Sequence, residues 1–273
     1  MPKVIVLTST FLRHQYVVNQ LARRLDVTGV WQEEKSFDPF TNAVTTEDER
    51  VVQAHFDGRD ASEEAWFGTD ATLDVGGAPV VRVTPGACSD PVEVAAMRAL
   101  EPDVALVFGT GILKQPFIDA FAGRIINLHL GLSPYYRGAG TNFWPLVNRE
   151  PEYVGATIHY LDAGIDTGPI IAHVRPGVLP EDGPHDIGNR AIVAAADCLA
   201  DAALAHVAGR VRAVPQTGGG RLYQRKDFTA AAVLTLQRNF ASGMVPEYLA
   251  DKSRRDARIA LIGLPADTSS PTA

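Results

Sequence analysis

Short runs of continuous apolar residues alternate with segments of helical periodicity through the first half of the sequence. Residues 4–7 are apolar at every position, which predicts a strand buried on both faces of a parallel sheet. Residues 11–25 then carry apolar side chains at helical spacing, and residues 27–31 return to a strand pattern. Further strands are predicted over residues 79–83, 103–108, 124–129, 154–160 and 169–174. This alternation predicts an α/β fold, with a doubly wound, mostly parallel Rossmann-like sheet flanked by helices.

Three further helices and two changes of composition organise the chain. Helices are predicted over residues 41–70, which are charged and expected to be exposed, over 92–100 after an Asp90 N-cap and Pro91, and over 184–207. We predict a main domain over residues 1–210 and a small C-terminal extension over 211–262, with a helical segment at its centre. Residues 263–273 are rich in Ser, Thr and Pro and are predicted to be a disordered tail.

The composition narrows the range of partners and compartments. The formal net charge of -7 argues against nucleic acid, which attracts basic surfaces. The two cysteines, Cys88 and Cys198, lie in no metal-binding or redox motif and are interpreted as reduced thiols. There is no cleavable signal at the start and no apolar stretch of the roughly 20 residues that a membrane span needs. A cytoplasmic protein without a membrane partner is expected.

Two polar residues stand at the end of the fifth predicted strand. Asn127 and His129 are two positions apart, so their side chains point to the same face, at the carboxyl end where open α/β sheets bind ligands. A pair of satisfied polar residues capping a strand is the alternative interpretation. The following loop carries Pro134, Gly138 and Gly140, which set special backbone conformations and favour a shaped polar surface.

The turn "LDAGIDTG" carries two carboxylates, Asp162 and Asp166. Taken alone, it is typical of a tight turn that favours Asp and Gly. A calcium loop would need a closing Glu that is missing here. His159 could join His129 and Asp166 around a metal, but an ordinary hydrogen-bonding histidine is favoured, so no metal site is predicted.

The stretch "VFGTGILK", residues 107–114, ends the fourth predicted strand in glycines. It is not a dinucleotide fingerprint, because the third glycine is missing and the first strand–helix turn has no glycine. Glycines at this place are suited to letting a flat ligand approach the backbone.

Together these three stretches resemble the folate-dependent formyltransferases. That family's Asn-x-His-x-x-x-x-Pro pattern with a following Arg-Gly, and its later Asp-x-Gly motif, match Asn127, His129, Pro134, Arg137, Gly138 and Asp166-Thr167-Gly168. The resemblance is strongest over residues 100–175. It implies that residues 1–210 are a formyltransferase catalytic domain and that the co-substrate is N10-formyltetrahydrofolate.

The resemblance also implies roles for individual residues. Transfer of a formyl group to an amine passes through a tetrahedral intermediate with an oxyanion, and each donor to that oxygen contributes about 10²–10³-fold. Asn127 and His129 are implied as these donors. Asp166 is implied to hold His129 or a water, favour the protonated imidazole and help remove the proton of the amine. Implied cofactor contacts are Gly111, Ile112, Leu113, Asp162, Ala163, Gly164, Ile165 and Asp166.

The acceptor is the least determined part of the resemblance. The loop "TSTFLRHQY" replaces the phosphate loop of glycinamide ribonucleotide enzymes, and after residue 215 the chain looks more like stand-alone sugar or natural-product enzymes than the tRNA enzymes. We expect a small-molecule amine, with an amino-sugar nucleotide first. Candidate acceptor contacts, each with an equally plausible structural role, are Arg13, His14, Tyr16, Tyr135 and Arg137.

Several alternatives stay open at this stage. Other possible acceptors are an N-hydroxyornithine-type siderophore precursor, methionyl-tRNA and glycinamide ribonucleotide. The same site could instead hydrolyse the formyl cofactor, or bind folate without catalysis. A homodimer is also left open.

Overall fold

The computed structural model describes residues 1–35, 38–70 and 72–264. Within these ranges the strands are β1 (Lys3–Ser9), β2 (Asp26–Glu33), β3 (Val80–Val83), β4 (Val104–Val107), β5 (Ile125–Leu130), β6 (Tyr136–Gly138), β7 (Ala156–Tyr160), β8 (Ile170–Val174) and β9 (Arg221–Tyr223). Seven of them form one sheet, in the order β3-β2-β1-β4-β5-β7-β8. The strands from β3 to β5 run parallel, whereas β7 and β8 are antiparallel to their neighbours. The predicted fold class, a mostly parallel Rossmann-like sheet, is confirmed.

Helices cover both faces of this sheet. In the described part of the chain they are α1 (Leu12–Ala22), α2 (Thr46–Phe67), α3 (Pro91–Ala99), α4 (Gln115–Ala120), α5 (Trp144–Val147), α6 (Asp186–Val207), α7 (Ala230–Ala241), α8 (Met244–Ala250) and α9 (Lys252–Asp256). Short 3-10 helices cover Ala87–Ser89, Pro151–Tyr153 and Arg225–Asp227. The sequence patterns did not predict α4 or α5, because four to six residues are too few to show a helical period.

Alternating residues of β1 divide the core into two layers. Val4 and Val6 face a cluster that includes residues of α1 and α6, whereas Ile5 and Leu7 face a second cluster with Met97 of α3. Because both faces of the strand are buried, every position is apolar, which accounts for the run from which the fold was predicted.

Helix α2 was predicted to be exposed, but one side of it is buried. It begins with a capping box between Thr45 and Asp48, which satisfies backbone donors at its start. Much of its surface is exposed, but Val52 and Glu63 are buried, with 1% and 4% of their surface accessible. One stripe of the helix therefore faces the interior. At α3, Asp90 occupies the N-cap position as predicted, but its side chain makes no capping hydrogen bond.

The C-terminal segment returns to the main domain at several points. β9 pairs in parallel with β6, Val214 bridges to Ile170 of β8, and Asn239 of α7 donates to the carbonyl oxygens of Leu146 and Val147. Helices α7 and α8 pack with α5 in a third apolar cluster. Of the predicted disordered tail, residues 265–273 lie outside the described residues.

Candidate active site

A cleft of about 800 Å³ opens at the carboxyl ends of β4 and β5. Its walls are residues 107–113, 127–130, 138–143, 161–166 and 222–225, with Arg13, His14, Lys35 and His159. The three residues predicted as catalytic, Asn127, His129 and Asp166, all line it. The adjacent parallel strands bring residues 107 and 127 together, and the antiparallel β7 returns the chain so that its following turn carries Asp166 back beside β5.

The amide of Asn127 is oriented by His159. The Nδ1 of His159 lies 2.8 Å from the carbonyl oxygen of Tyr160, so this nitrogen carries the proton and donates it. Its Nε2, 3.0 Å from Asn127 Nδ2, therefore accepts from the amide. Burial lowers the pKa of His159, which is 2% exposed, and the neighbouring His129 lowers it further. A neutral His159 thus fixes which side of the Asn127 amide is nitrogen, and leaves its second N–H for another acceptor.

His129 lies between two oxygen atoms of the protein. Its Nδ1 is 3.2 Å from Asp166 Oδ1, and its Nε2 is 3.3 Å from the carbonyl oxygen of Tyr136. Both neighbours are acceptors, so a doubly protonated ring can donate to each of them. The longer contact, to a neutral carbonyl group, is the weaker of the two.

Asp166 keeps its negative charge although it is largely buried. Burial alone raises its pKa, but the hydrogen bond and charge of His129, with the backbone N–H of Gly138, more than offset this and bring the pKa to about 2. The Gly138 nitrogen lies 3.1 Å from Asp166 Oδ2, so the two carboxylate oxygens have separate donors. The carboxylate is therefore ionised at neutral pH and aligned on His129.

The backbone of the Asp166 turn is held from the C-terminal side. Asp166 has a φ of 52°, in the left-handed region that Asp tolerates better than most residues. Gln216 donates to the carbonyl oxygens of Asp166 and Gly168, at 2.9 and 2.7 Å. At Gly168 an added Cβ would lie 1.7 Å from the carbonyl oxygen of Tyr160, so the Asp-x-Gly motif needs a glycine here.

The loop after β5 is fixed by a strand pair that the sequence did not reveal. Residues 136–138 form β6, which pairs with Arg221–Tyr223. Gly138 has a φ of 90°, and an added Cβ would lie 2.1 Å from the carbonyl oxygen of Tyr223. The Arg-Gly motif therefore has a packing reason, and the glycine places the N–H that Asp166 accepts.

The two segments predicted to hold the cofactor face each other across the cleft, but their N–H groups are not equally available. Residues 111–113 and 162–166 all line it. The N–H of Gly111 already donates to Glu33 Oε1 at 2.7 Å, and that of Gly164 donates to Asp162 Oδ1 at 3.0 Å. Ile112 is 75% exposed, so an apolar side chain stands at the rim.

The residues predicted to contact an acceptor do not converge. Arg13 and His14 line the cleft, although His14 is buried and packs on Phe108, with ring centroids 4.7 Å apart. Tyr16 packs on Phe67 at 4.9 Å, and Tyr135 packs on Tyr153 at 5.2 Å. Among the described residues that line the cleft, none is Tyr16, Tyr135 or Arg137. Residues 138–143 form this part of the cleft wall, and Tyr16, Tyr135 and Arg137 stay predictions as acceptor contacts.

A second cavity of about 370 Å³ adjoins the cleft and was not predicted. Helix α2 contributes His55, Phe56, Arg59 and Glu63 to it. The signal in the sequence was their spacing: residues 55, 59 and 63 recur every fourth position and share one face of a helix. We call this cavity the chamber.

The described residues were searched for a metal-binding cluster and for a membrane-spanning helix. Over residues 1–35, 38–70 and 72–264, no group of three or more His, Cys, Asp or Glu side chains is placed to hold a metal ion. No helix in these ranges combines the length and the apolar character needed to cross a membrane.

A doubly wound sheet that carries an oriented amide and an ionised aspartate beside a histidine at its carboxyl edge indicates the class of this protein. The sequence profile described as "Formyl transferase" matches residues 41–202, more than half of the 273 residues. The chain therefore belongs to the formyl transferase family, which confirms the predicted resemblance.

Curated relatives include methionyl-tRNA formyltransferases. The protein of Rhodococcus erythropolis is 34% identical over 160 residues, which is 58% of this chain and 51% of that protein. That of Solibacter usitatus is 37% identical over 111 residues, 40% of this chain and 35% of that protein. The chain thus spans about half or less of the length of these two relatives.

Solved structures share the fold at low sequence identity. Glycinamide ribonucleotide transformylase 1 from Symbiobacterium toebii superimposes with a TM-score of 0.54 at 21% identity, covering 78% of this chain and 94% of that one. A sugar N-formyltransferase from Shewanella sp. gives a TM-score of 0.55 at 15% identity, covering 86% and 88%. At these identities the likeness concerns the fold.

Proposed function

We propose that this protein transfers a formyl group from N10-formyltetrahydrofolate to the primary amine of a small metabolite. The observation that carries the proposal is the arrangement of Asn127, His129 and Asp166 in one cleft, with the carboxylate 3.2 Å from the imidazole. The family to which the chain belongs supports the reaction class.

The formyl donor fits the cleft by size and by the chemistry of its walls. A volume of about 800 Å³ is within the range of about 300–1,000 Å³ usual for ligand pockets. Residues 109–113 and 162–166 offer backbone groups and small side chains to a flat ring with several donors and acceptors. Because Glu33 occupies the Gly111 N–H, residues 112–113 and the 162–166 turn are the contacts we propose. When bound, the donor supplies the electrophilic formyl carbon.

Each site residue then has a distinct task. The amine attacks the formyl carbon, and negative charge grows on the formyl oxygen as the tetrahedral intermediate forms. The bond to N10 breaks when this intermediate collapses to the formamide. The free N–H of Asn127 donates to that oxygen, and His129 joins it when its Nε2–H leaves the weak contact with Tyr136. Asp166 stabilises the positive imidazole and, through a water, receives the proton that the amine loses. The departing N10 takes up a proton as the formamide forms.

We propose an amino-sugar nucleotide as the acceptor, in a cytoplasmic enzyme. A net charge of -7 disfavours a large polyanionic partner, and a sugar enzyme shares the fold. Methionyl-tRNA is the second candidate, favoured by relatives of that name at 34–37% identity. The possible homodimer stays a prediction.

Release of tetrahydrofolate from N10-formyltetrahydrofolate tests the reaction. The protein is incubated with 4-amino sugar nucleotides, N-hydroxyornithine, glycinamide ribonucleotide and methionyl-tRNA, one at a time. Acceptor-dependent release is expected with one amine. Release of formate without any amine would indicate a hydrolase, and tight folate binding without turnover would indicate a non-catalytic module.

The role of His129 is tested by substitution. His129→Ala is expected to lower kcat by about 10²–10⁴-fold, because it removes both a donor to the oxyanion and the partner that orients the Asp166 carboxylate. His206→Gln is the matched control, since His206 bonds to Tyr160 at 2.8 Å and is not among the residues that line the cleft. Activity of His129→Ala equal to that of the control would remove the assigned role.

A further inference from the structure

The chamber adjoins the cleft, and several residues line both cavities. These shared residues include Arg13, Lys35, Asn142, Phe143 and Arg225. A molecule in the chamber can therefore extend through this boundary into the cleft. The chamber is thus placed to hold the part of an acceptor that does not react.

Ring side chains form much of the wall of the chamber. His55 of α2 contacts Phe143 and His185, with centroids 5.4 and 4.9 Å apart, and Phe56 contacts Phe228 at 5.5 Å. The pKa of both His55 and His185 is lowered to about 4, chiefly by burial, with a smaller contribution from the positive charge of Arg59. The two imidazoles are therefore neutral rings at pH 7. Such walls favour a flat ring, because each can stack on a π-face.

The boundary between the chamber and the cleft carries positive charge, although the net charge of the chain is negative. Among the described residues that line the chamber, Arg13, Lys35, Arg59 and Arg225 carry positive charge and Glu63 alone carries negative charge. The whole chain has a net charge of -7. Arg13, Lys35 and Arg225 also line the cleft. Because Glu63 balances Arg13, the excess of positive charge at the shared boundary comes from Lys35 and Arg225. A concave site with this excess attracts an anion.

Asn142 adds an unused donor at the same boundary. Its Oδ1 accepts the N–H of Gly155 at 2.9 Å, which fixes the orientation of the amide. Its Nδ2 is buried and has no hydrogen-bond partner among the described residues. A buried donor left without a partner is costly, so a ligand acceptor in this position would stabilise it.

We propose that the chamber is the acceptor-recognition site, with a nucleobase held among its aromatic walls and a diphosphate at the Arg13–Lys35–Arg225 boundary. A flat ring and an anion joined in one small molecule are the features of a nucleoside diphosphate. The amine to be formylated, linked beyond the diphosphate, then projects into the cleft beside Asn127 and His129. This inference rests on the proposed function for the fate of the amine, but the binding itself does not require a formyl donor.

Binding is measured by calorimetry on the full chain without any folate. The probes are uridine, thymidine and guanosine diphosphates, with pyrophosphate and the free nucleosides as partial ligands. At least one diphosphate is expected to bind with one-to-one stoichiometry and about tenfold or more tighter than its nucleoside or pyrophosphate. Absence of saturable binding by all three diphosphates would overturn the inference, whether or not formyl transfer is detected.

A substitution that fills the chamber tests whether the ligand binds there. Gly188 of α6 lines the chamber, and an added Cβ would meet Asn142 Cβ at an ordinary 3.9 Å. Gly188→Leu should fill the space and weaken diphosphate binding about tenfold or more, whereas the smaller Gly188→Ala should bind as the wild type does. Both changes favour the helix, so thermal unfolding is expected to be preserved. Equal binding by Gly188→Leu and Gly188→Ala would place the ligand elsewhere.

The α2 face supplies a second, independent pair of variants. Phe56→Ala removes a stacking surface and should weaken binding about tenfold. Arg50→Gln on the same helix is the control, because Arg50 is exposed and its ion pair with Glu47 is a loose one, at 3.6 Å. A different result would assign the chamber to an aminoacyl-tRNA and overturn the inference. In that case the wild type would formylate methionyl-tRNA but bind no nucleoside diphosphate, and Gly188→Leu would lose the formylation.

Discussion

The cleft and the chamber lie side by side but are built on opposite principles. In the cleft, polar groups such as Asn127, His159 and Asp166 have assigned partners, and their protons are distributed by hydrogen bonds. In the chamber, aromatic rings meet each other, and the main polar feature is Glu63 between Arg13 and Arg59. The first arrangement suits the stabilisation of charge that appears during a reaction. The second suits recognition of a shape.

The two cavities also differ in where their residues lie along the chain. The cleft takes its catalytic residues from two motifs. One lies on β5 and the other on the turn between β7 and β8, and β7 pairs with both β5 and β8 in the sheet. The chamber draws on α2, α6 and the C-terminal segment. We therefore expect changes in the cleft to act on kcat, and changes in the chamber to act on affinity and stability.

The largest expected effect is that of Asp166→Asn. The amide keeps the shape of the side chain but loses the charge that supports a protonated His129, so kcat should fall about 10²–10⁴-fold. Steady-state rates of tetrahydrofolate release measure this. Asp119→Asn, on an exposed part of α4, is the control and should retain full activity. A loss smaller than tenfold would show that the cleft does not depend on this carboxylate.

Breaking the charge cluster of the chamber should cost stability. Glu63 is 4% exposed, is hydrogen-bonded to Arg13 and lies 3.8 Å from Arg59 Nε. Glu63→Gln leaves the largely buried guanidinium group of Arg13 without a balancing charge, whereas Arg59 keeps its ion pair with Asp60. The change should lower the free energy of unfolding by about 2–4 kcal/mol. Urea unfolding measures this loss. The neighbouring Glu64→Gln, on the exposed side of α2, should change it by less than about 0.5 kcal/mol.

A smaller effect concerns the pH dependence of stability. His55 and His185 have folded-state pKa values lowered to about 4, chiefly by burial, against about 6.5 in the unfolded chain. Their contribution to stability is complete above pH 6.5 and is lost as the pH falls from 6.5 towards 4, because the unfolded state then binds more protons. Between pH 7 and pH 5 the expected loss is about 1–2 kcal/mol for each histidine.

The double variant His55→Asn/His185→Asn tests this contribution. Its free energy of unfolding, measured in urea at both pH values, should fall less between pH 7 and pH 5 than that of the wild type. An identical pH dependence in the two proteins would mean that the chamber does not hold these imidazoles in the neutral form.

The parts of the molecule that could be predicted are those whose signal lies in one segment. The apolar run at residues 4–7 predicted a strand buried on both faces. Asn127, His129 and Asp166 were found through two local motifs, which neighbouring strands of the sheet bring together. Three-residue strands such as β6 and β9 are too short for a period of two to be visible. Tyr135 and Arg137 were assigned to the pocket wall because the path of this loop depends on a pairing that cannot be read locally.

The chamber was missed for a related reason. A charged helix such as α2 is usually solvated, and contacts with α1, α6 and the C-terminal segment turn its stripe at residues 55, 59 and 63 inwards. The spacing was present in the sequence, but its meaning depended on long-range packing. The division at residue 210 stays a prediction.

The pairing of Tyr136–Gly138 with Arg221–Tyr223 has a consequence for folding. These strands are separated by 85 residues, and Arg221 also bonds to the Tyr136 hydroxyl at 2.5 Å. Closing so long a loop is entropically costly and slow compared with forming local structure. The N–H of Gly138 that aligns Asp166 thus depends on Arg221–Tyr223, which follow all seven strands of the main sheet in the sequence, so a growing polypeptide contains every strand of that sheet before it can complete the reaction centre.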